Sequence, residues 1–425
     1  MSDIGELAPE PAASGSGGHD DVVQPSKPVG PGWTVALSAS ALAIALVTLT
    51  PLQVLLPLQV EEIDPAGKVT SLSTITATGA LVAIVAAPLA GMLSDRTRSR
   101  FGRRRPWVLG GALLAGSGLL LLTMQRSVLG VLLAWTLVQL GANTMYAAVN
   151  AAVPDRVPIR QRGTVSAFVA LQAPVALVAG TFLVTVLITG VPPGYLALAV
   201  LLLACVAPYV LVRSDPPVTA PRPALTGARI PALLLAPWRH ADFRWAFAGR
   251  FAIQLGNAIG TLYILYFLRD EVGYHDPAAG VFVLILLYTV MLVLTSIVGG
   301  WLSDRAGRRK IFVIAAAVIA AGGLAILALA PTWTGALVAA PSIGCGIGIF
   351  LAVDNALITH VLPSAEERAK DLGVINLANT APHALGPVVA GTIISMSGSY
   401  TWLYLVAAAT VLGGSGLIQP IRSVR

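Results

Sequence analysis

The sequence predicts an all-α membrane protein of twelve transmembrane helices arranged as two related six-helix bundles, and three observations carry that expectation. Hydrophobic residues make up 56% of the 425 and charged residues only 11%, where a soluble domain carries about 25% charged residues. Apolar stretches long enough to cross a hydrocarbon core of about 30 Å, which takes about 20 helical residues, recur twelve times along the chain. The segment Gly91-Met-Leu-Ser-Asp-Arg-Thr-Arg-Ser-Arg-Phe-Gly-Arg-Arg-Arg105 returns in shortened form as Gly300-Trp-Leu-Ser-Asp-Arg-Ala-Gly-Arg-Arg-Lys310, each copy wedged between two such stretches.

Taken in order, residues 1–32 hold Pro, Gly, Ser and acidic residues with few large apolar ones, and read as a disordered tail. The first span, 33–60, is too long for a signal-peptide core and lacks a basic flank and a small-residue cleavage site. Spans then follow at 70–93, 107–124, 128–152, 164–189 and 194–212, closing a first half at 33–212. Residues 213–243 contain six prolines and form the longest hydrophilic connection. The second half, 244–425, carries spans at 244–268, 278–302, 311–330, 334–358, 371–396 and 401–419. Strands of a membrane barrel would alternate apolar and polar residues over about ten positions, and no segment does. Cys205 and Cys345 lie in apolar spans and match no metal or redox spacing.

Orientation follows from the basic residues, because short cytoplasmic loops retain Lys and Arg. Numbering the loops alternately puts 23 of the 27 on the side that holds both termini, leaving Lys68, Arg126 and Arg269 opposite and Arg250 inside the seventh span. The expectation is a multi-pass protein of the cell membrane with both termini cytoplasmic. The net charge of +7 is accounted for by this loop bias, so nucleic acid is not expected as a partner.

The repeat extends beyond the loop. Ala148-Val149-Asn150 leads to Val157-Pro158, and Ala352-Val353-Asp354 leads to Leu362-Pro363, at spacings of 48 and 47 residues from Gly102 and Gly307. Duplicated bundles of this kind characterise secondary transporters, whose halves rock about a site near the membrane midplane.

Twelve spans in two halves, with Gly-x-Leu-Ser-Asp-Arg-x-Gly-Arg-Arg after spans two and eight, resemble the major facilitator superfamily over about residues 33–421. The extended form Ser94-Asp-Arg-Thr-Arg-Ser-Arg-Phe-Gly-Arg-Arg-Arg-Pro106 is further similar to the glycoside-pentoside-hexuronide/cation symporters and sucrose transporters within it. The resemblance implies that spans 1, 4, 7 and 10 line a central path, that 2, 5, 8 and 11 form the interface between halves, and that 3, 6, 9 and 12 face lipid. It also implies that Asp95 with Arg96, and Asp304 with Arg305, close a cytoplasmic charge network between the halves in the outward-facing state. Gly102 and Gly307 suit a tight turn, and the arginines, Arg103, Arg104 and Arg308 among them, suit an anionic leaflet. A plain topology anchor would need the same arginines.

Polar residues within the spans sort as that arrangement implies. They are Gln53 in span 1, Gln139, Asn143 and Asn150 in span 4, Gln172 in span 5, Arg250, Gln254 and Asn257 in span 7, Asp354 and Asn355 in span 10, and Asn376, Asn379 and His383 in span 11. Such groups are costly in lipid and turn toward protein or water. Asn143, Tyr146 and Asn150 form one helical stripe, Arg250, Gln254 and Asn257 a second, and Asn376, Asn379 and His383 a third. They are candidates for binding substrate or coupling its transport, with hydrogen bonding between helices as the alternative.

Arg250 and Asp354 are the only charges well inside the spans, at similar depth, and are expected to pair, since a lone buried charge is expensive. The alternative is that Arg250 snorkels to the headgroups while Asp354 caps a helix end. Sodium symporters of the resembled type carry carboxylates in span 2, where this chain has Ser71, Ser73, Thr74, Thr76 and Thr78. A proton is therefore the expected coupling ion, carried by Asp354 or by His383, a residue type that titrates near neutrality. No Gly-x4-Gly-Lys-Ser/Thr loop occurs, so a gradient must drive the chain. No cofactor, metal site or nucleophile–base pair is expected, nor an enzyme, and a monomer is the expected form. Amides with Tyr146, Tyr263, Tyr266 and Trp135 nearby suit a small-molecule substrate such as a sugar or glycoside. Efflux of an amphipathic drug or natural product is the alternative, with a membrane sensor or lipid-active enzyme behind it.

Overall fold

The computed structural model describes residues 28–99, 101–211, 238, 240–361 and 368–421, with backbone alone for 355–361 and 368–376. Most of the expected tail and linker, and the side chains of Asn355 and Asn376, lie outside the described residues.

Among the described residues the chain forms twelve helical rods: α1 (Pro31–Ile63), α2 (Lys68–Arg96), α3 (Arg105–Leu122), α4 (Val128–Arg156), α5 (Ile159–Leu187) and α6 (Val191–Leu211), then α7 (Ala241–Leu262 with Ile264–Asp270), α8 (Pro277–Ala306), α9 (Arg309–Leu329), α10 (Trp333–Val361), α11 (Arg368–Ser397) and α12 (Tyr400–Ile418). Ten are long and apolar enough to cross a membrane, and α7, bent by 43° at Tyr263, makes eleven. The remaining rod, α11, equals them in length but carries the polar stripe that lowers its hydropathy. The chain is a multi-pass membrane protein.

Local chemistry sets the ends and the irregularities. Pro31, Pro106 and Pro277 sit in first turns, where the missing N–H would have no partner in any case. Ser127 Oγ accepts from the Gly130 N–H at 3.2 Å and Asp276 Oδ1 from the Ala279 N–H at 3.1 Å, capping α4 and α8. Several rods run about a turn past their apolar stretches, α4 to Arg156 and α2 to Arg96, because backbone hydrogen bonds continue into the headgroup layer. Within α1, Pro51 opens a π-helical turn to Leu55 that the apolar pattern does not signal. Proline's ring and missing N–H disrupt the regular ladder, and the Leu56 N–H bonds back five residues to Pro51.

Packing shows the duplication directly. In the first half α1 lies against α4, α5 and α6, α3 against α4 and α6, and α2 against α4. Adding six to each number gives the pairs of the second half: α7 against α10, α11 and α12, α9 against α10 and α12, and α8 against α10. The halves meet along α2 with α11 and α5 with α8, the four spans expected at the interface. Lipid offers no hydrophobic drive between helices, so close approach by small residues supplies the contact. A Cβ on Gly141 of α4 would stand 2.4 Å from the Ala115 nitrogen of α3, and one on Gly346 of α10 would stand 2.4 Å from the Ala316 oxygen of α9.

Candidate functional site

The two halves are tied at the end opposite the arginine-rich loops. Lys68 Nζ lies 2.9 Å from Glu61 Oε1 and 2.7 Å from Asp270 Oδ1, and Arg269 also pairs with Glu61. The Tyr400 hydroxyl donates to Asp270 Oδ2 at 2.7 Å and the Tyr266 hydroxyl to the Pro57 carbonyl at 2.9 Å. Ser73 Oγ donates to the Pro387 carbonyl at 2.9 Å, and Phe182 meets Phe282 at 5.4 Å between ring centres. Glu61 and Lys68 flank the α1–α2 turn, whereas Arg269, Asp270 and Tyr400 come from the second half, so the cluster crosses between bundles. Its shared, partly buried charges make it stronger than isolated surface pairs, whose median worth is about 0–1 kcal/mol.

Toward the arginine-rich end the bonds between described residues stay within each half. α8 packs on the later part of α5, Gln172 onward, while Phe168 and Leu171 of α5, Leu294 and Ile297 of α8, and Val85 and Leu89 of α2 are exposed. A cavity of about 640 Å³ lies there between α1 and α5, bordered by Thr34, Val35, Ser38, Leu42, Gln161, Thr164, Phe168, Gln172 and their neighbours. Ser38 Oγ is buried in its wall without a hydrogen-bond partner.

In the second half the structure brings Arg250 and Asp354 together. Arg250 Nη1 lies 2.8 Å from Asp354 Oδ2 and its Nε donates to Asn379 Oδ1 at 2.6 Å, joining α7, α10 and α11. Both side chains of the pair are nearly fully buried, at 6% and 2% exposure, so water screens the attraction little. Arg250 is nine residues into α7, about 14 Å along the axis, which is why snorkelling gives way to pairing. Gln254 and Asn257 continue the stripe with Gln254 Oε1 and Asn257 Oδ1 buried and unpartnered. Asn379 thus belongs to this cluster, while His383, one turn on, is exposed.

The first half contributes more loosely. Asn143 Nδ2 donates to the Gln139 carbonyl at 2.8 Å and Asn150 Nδ2 to the Tyr146 carbonyl at 3.0 Å, so both amides bond within α4, and Tyr146 is exposed. Gln53 is half-buried on the π-helical turn of α1, and Gln172 borders the cavity. Ser38, Gln161 and Thr164 went unmarked in the sequence, because small neutral groups near span ends carry no cost that would flag them. Glu61, Lys68, Arg269 and Asp270 went unmarked for a related reason: charges at a membrane edge look solvated until a partner half is placed opposite.

Among the described residues the repeated loop bonds within each half. Arg104, buried, reaches Asp95 Oδ1 at 2.5 Å, Asp155 Oδ2 at 2.9 Å and Ser94, and Arg103 also pairs with Asp155. Asp304 lies 3.7 Å from Arg309, and Arg305 stacks over Trp301. Arg96, expected with Asp95 in a charge network between the halves, is exposed at the end of α2, and within this half the arginines that fold back after the turn at Gly102 reach the aspartate. Gly102 at φ 93° and Gly307 at φ 65° occupy the left-handed region that glycine enters at no steric cost. Arg308 is exposed.

A family model described as MFS/sugar transport protein matches residues 68–410. A Bacillus subtilis (strain 168) protein, the uncharacterized MFS-type transporter YfiU, is 31% identical over 122 residues, which is 29% of this chain and 23% of that protein's length. Two crystal structures of POT family transporters, one in complex with a thioalcohol-conjugated peptide and one with 5-aminolevulinic acid, superpose with TM-scores of 0.70 and 0.69. Each is 13% identical and covers 91% of this chain and 95% of its own, a likeness of fold.

Proposed function

The chain belongs to the MFS/sugar transport protein family and is a secondary transporter rather than an enzyme, and we propose that it moves a small organic solute by alternating access, coupled to protons. The observation that carries this reading is the distribution of bonds among the described residues: they tie the halves at one end and stay within each half at the other, where α1 and α5 border a cavity. In this reading the arginine-rich end is cytoplasmic, as retention of Lys and Arg in short inner loops favours, and the conformation is open to the cytoplasm in the cell membrane. The Lys68–Asp270 and Arg269–Glu61 contacts form the outer gate. The Asp95 and Asp304 loops, each satisfied within its own half here, are free to engage across the halves when the inner end closes. Differential contacts of this kind are what lets a ligand shift the balance between two states.

Arg250, Asp354 and Asn379 form the coupling cluster. A proton on Asp354 would neutralise one member of a buried pair and leave Arg250 uncompensated, so the cluster has to rearrange. Because its members sit on α7, α10 and α11, that rearrangement moves helices bordering the path. Gln53, Asn143, Tyr146, Asn150, Gln172, Gln254 and Asn257 are positioned to contact the solute from either half.

The test uses purified protein in liposomes loaded with a pH-sensitive dye, challenged with sugars, alkyl glycosides and lipophilic antibiotics. Addition of a transported solute should start proton movement in the wild type. Asp354→Asn should abolish it while leaving counterflow exchange of the same solute measurable. Proton movement retained in Asp354→Asn would remove that residue from coupling.

A further inference from the structure

From the cavity between α1 and α5 we infer that the transported solute is an amphipathic, uncharged molecule whose hydrocarbon portion lodges against these two helices; the inference rests on the transport reading above and deepens it. Nine of the fourteen residues bordering the cavity are apolar, five are neutral and polar, and none is charged. A free sugar presents hydroxyls on every side, and a hydroxyl moved from water to such a wall without a partner is disfavoured. A molecule with a hydrocarbon face loses nothing there and gains burial.

The order of residues along α5 gives the arrangement. Gln161, Phe168 and Gln172 share one helical stripe, with an amide at each end and an apolar belt between, and the two amides are about 16 Å apart at 1.5 Å per residue. On α1, Val35, Ser38 and Leu42 form the facing stripe at i, i+3 and i+7, so the Ser38 hydroxyl is flanked by apolar side chains. Val35 and Phe168 are 67% and 54% exposed, large apolar surfaces in a space bordered by hydrogen-bonding groups. The Gln172 amide and the Thr34 and Thr164 hydroxyls on the border supply contacts for a polar head, and the Ser38 oxygen, which lacks a partner in the protein, lies just behind them. A volume of about 640 Å³ falls within the about 300–1,000 Å³ of small-molecule sites.

Hexyl β-D-glucoside and D-glucose test this, since they share a head group and differ by a hydrocarbon chain. Ser38→Cys is introduced with Cys205→Ala and Cys345→Ala, the protein is placed in lipid nanodiscs, and its alkylation by N-ethylmaleimide is timed. Hexyl glucoside should slow the reaction at least fivefold at a concentration where glucose leaves it unchanged. Thr164→Cys, across the cavity, serves as a second reporter should Ser38→Cys fold poorly, and Asp304→Cys, exposed in the last turn of α8, as a control that must not slow. Equal protection by glucose would overturn the inference in favour of a polyol site. Protection by neither, or equal slowing of Asp304→Cys, would overturn it in favour of a packing surface or of partition into the bilayer. Loss of protection with solute-driven proton movement intact would strike this inference alone. Protection with no proton movement for any solute would strike the coupling reading instead.

Discussion

Removing either charge of the Arg250–Asp354 pair should harm the protein more than removing both. The two side chains are 2.8 Å apart and almost wholly shielded from solvent, so each strongly offsets the desolvation of the other. Taking away one partner of a buried pair costs about 3–5 kcal/mol because the survivor is left uncompensated. Arg250→Met keeps an apolar stem but also loses the 2.6 Å bond to Asn379, whereas Asp354→Asn keeps the shape of the carboxylate, so the arginine change should be the worse single variant. The double variant buries no net charge and should recover part of the loss, with a coupling energy within the range of about 0.5–3 kcal/mol seen for contacting residues. Thermal unfolding of the four proteins in one detergent, read alongside expression yield, completes the cycle. Single effects that add within about 0.5 kcal/mol would refute the pairing argument and return Arg250 to snorkelling or to a direct contact with solute.

Three further changes probe the frame. Gly141→Val should lower the unfolding temperature sharply, because a Cβ there would stand 2.4 Å from the Ala115 backbone and overpacking costs about 1–3 kcal/mol; an unchanged melt would mean that α3 and α4 can part freely. Gly307→Val, at φ 65°, puts a β-branched residue in left-handed backbone at a cost of about 1–2 kcal/mol, and should destabilise while Gly307→Asn is nearly tolerated. Arg104→Gln removes a buried guanidinium that reaches both Asp95 and Asp155, with Arg103 still beside them, and is expected to reduce yield more than Arg96→Gln at the exposed position; equal effects would show that loop charge alone matters.

Much of the fold was legible because the bilayer imposes strict rules on composition. Long uncharged stretches, a repeated loop and a one-sided distribution of arginines have few other readings, and the packing of α1–α6 returns in α7–α12. The Arg250–Asp354 contact was legible for the same reason, since a charge at membrane depth needs a partner and each span offered one. The π-helical turn at Pro51 was not, because proline in a span signals disruption without saying which backbone pattern results. Nor was the bend at Tyr263, where Gly260 lies within a turn of the break but a lone glycine in a span does not fix whether the helix bends. The cross-half cluster around Lys68 and the cavity wall at Ser38 and Gln161 depend on the conformation the halves adopt, and that is set by small differences in contact between states rather than by any one residue type. His383 was placed by helical periodicity alone, and periodicity assigns a face without fixing what lies opposite.

Alternating access governed by the Lys68 cluster is the central claim, and paired distance measurements by electron spin resonance test it most directly. Spin labels at Glu62 and Glu271, exposed at the end opposite the arginine-rich loops, report the outer gate, and labels at Gly163 and Ala306 report the inner end. In the wild type the outer pair should give a single narrow distance distribution. Lys68→Met, which removes the cation shared by Glu61 and Asp270, should populate longer outer distances and, in the same sample, shorter inner ones. Unchanged distributions at both ends, or both ends lengthening together, would contradict the account.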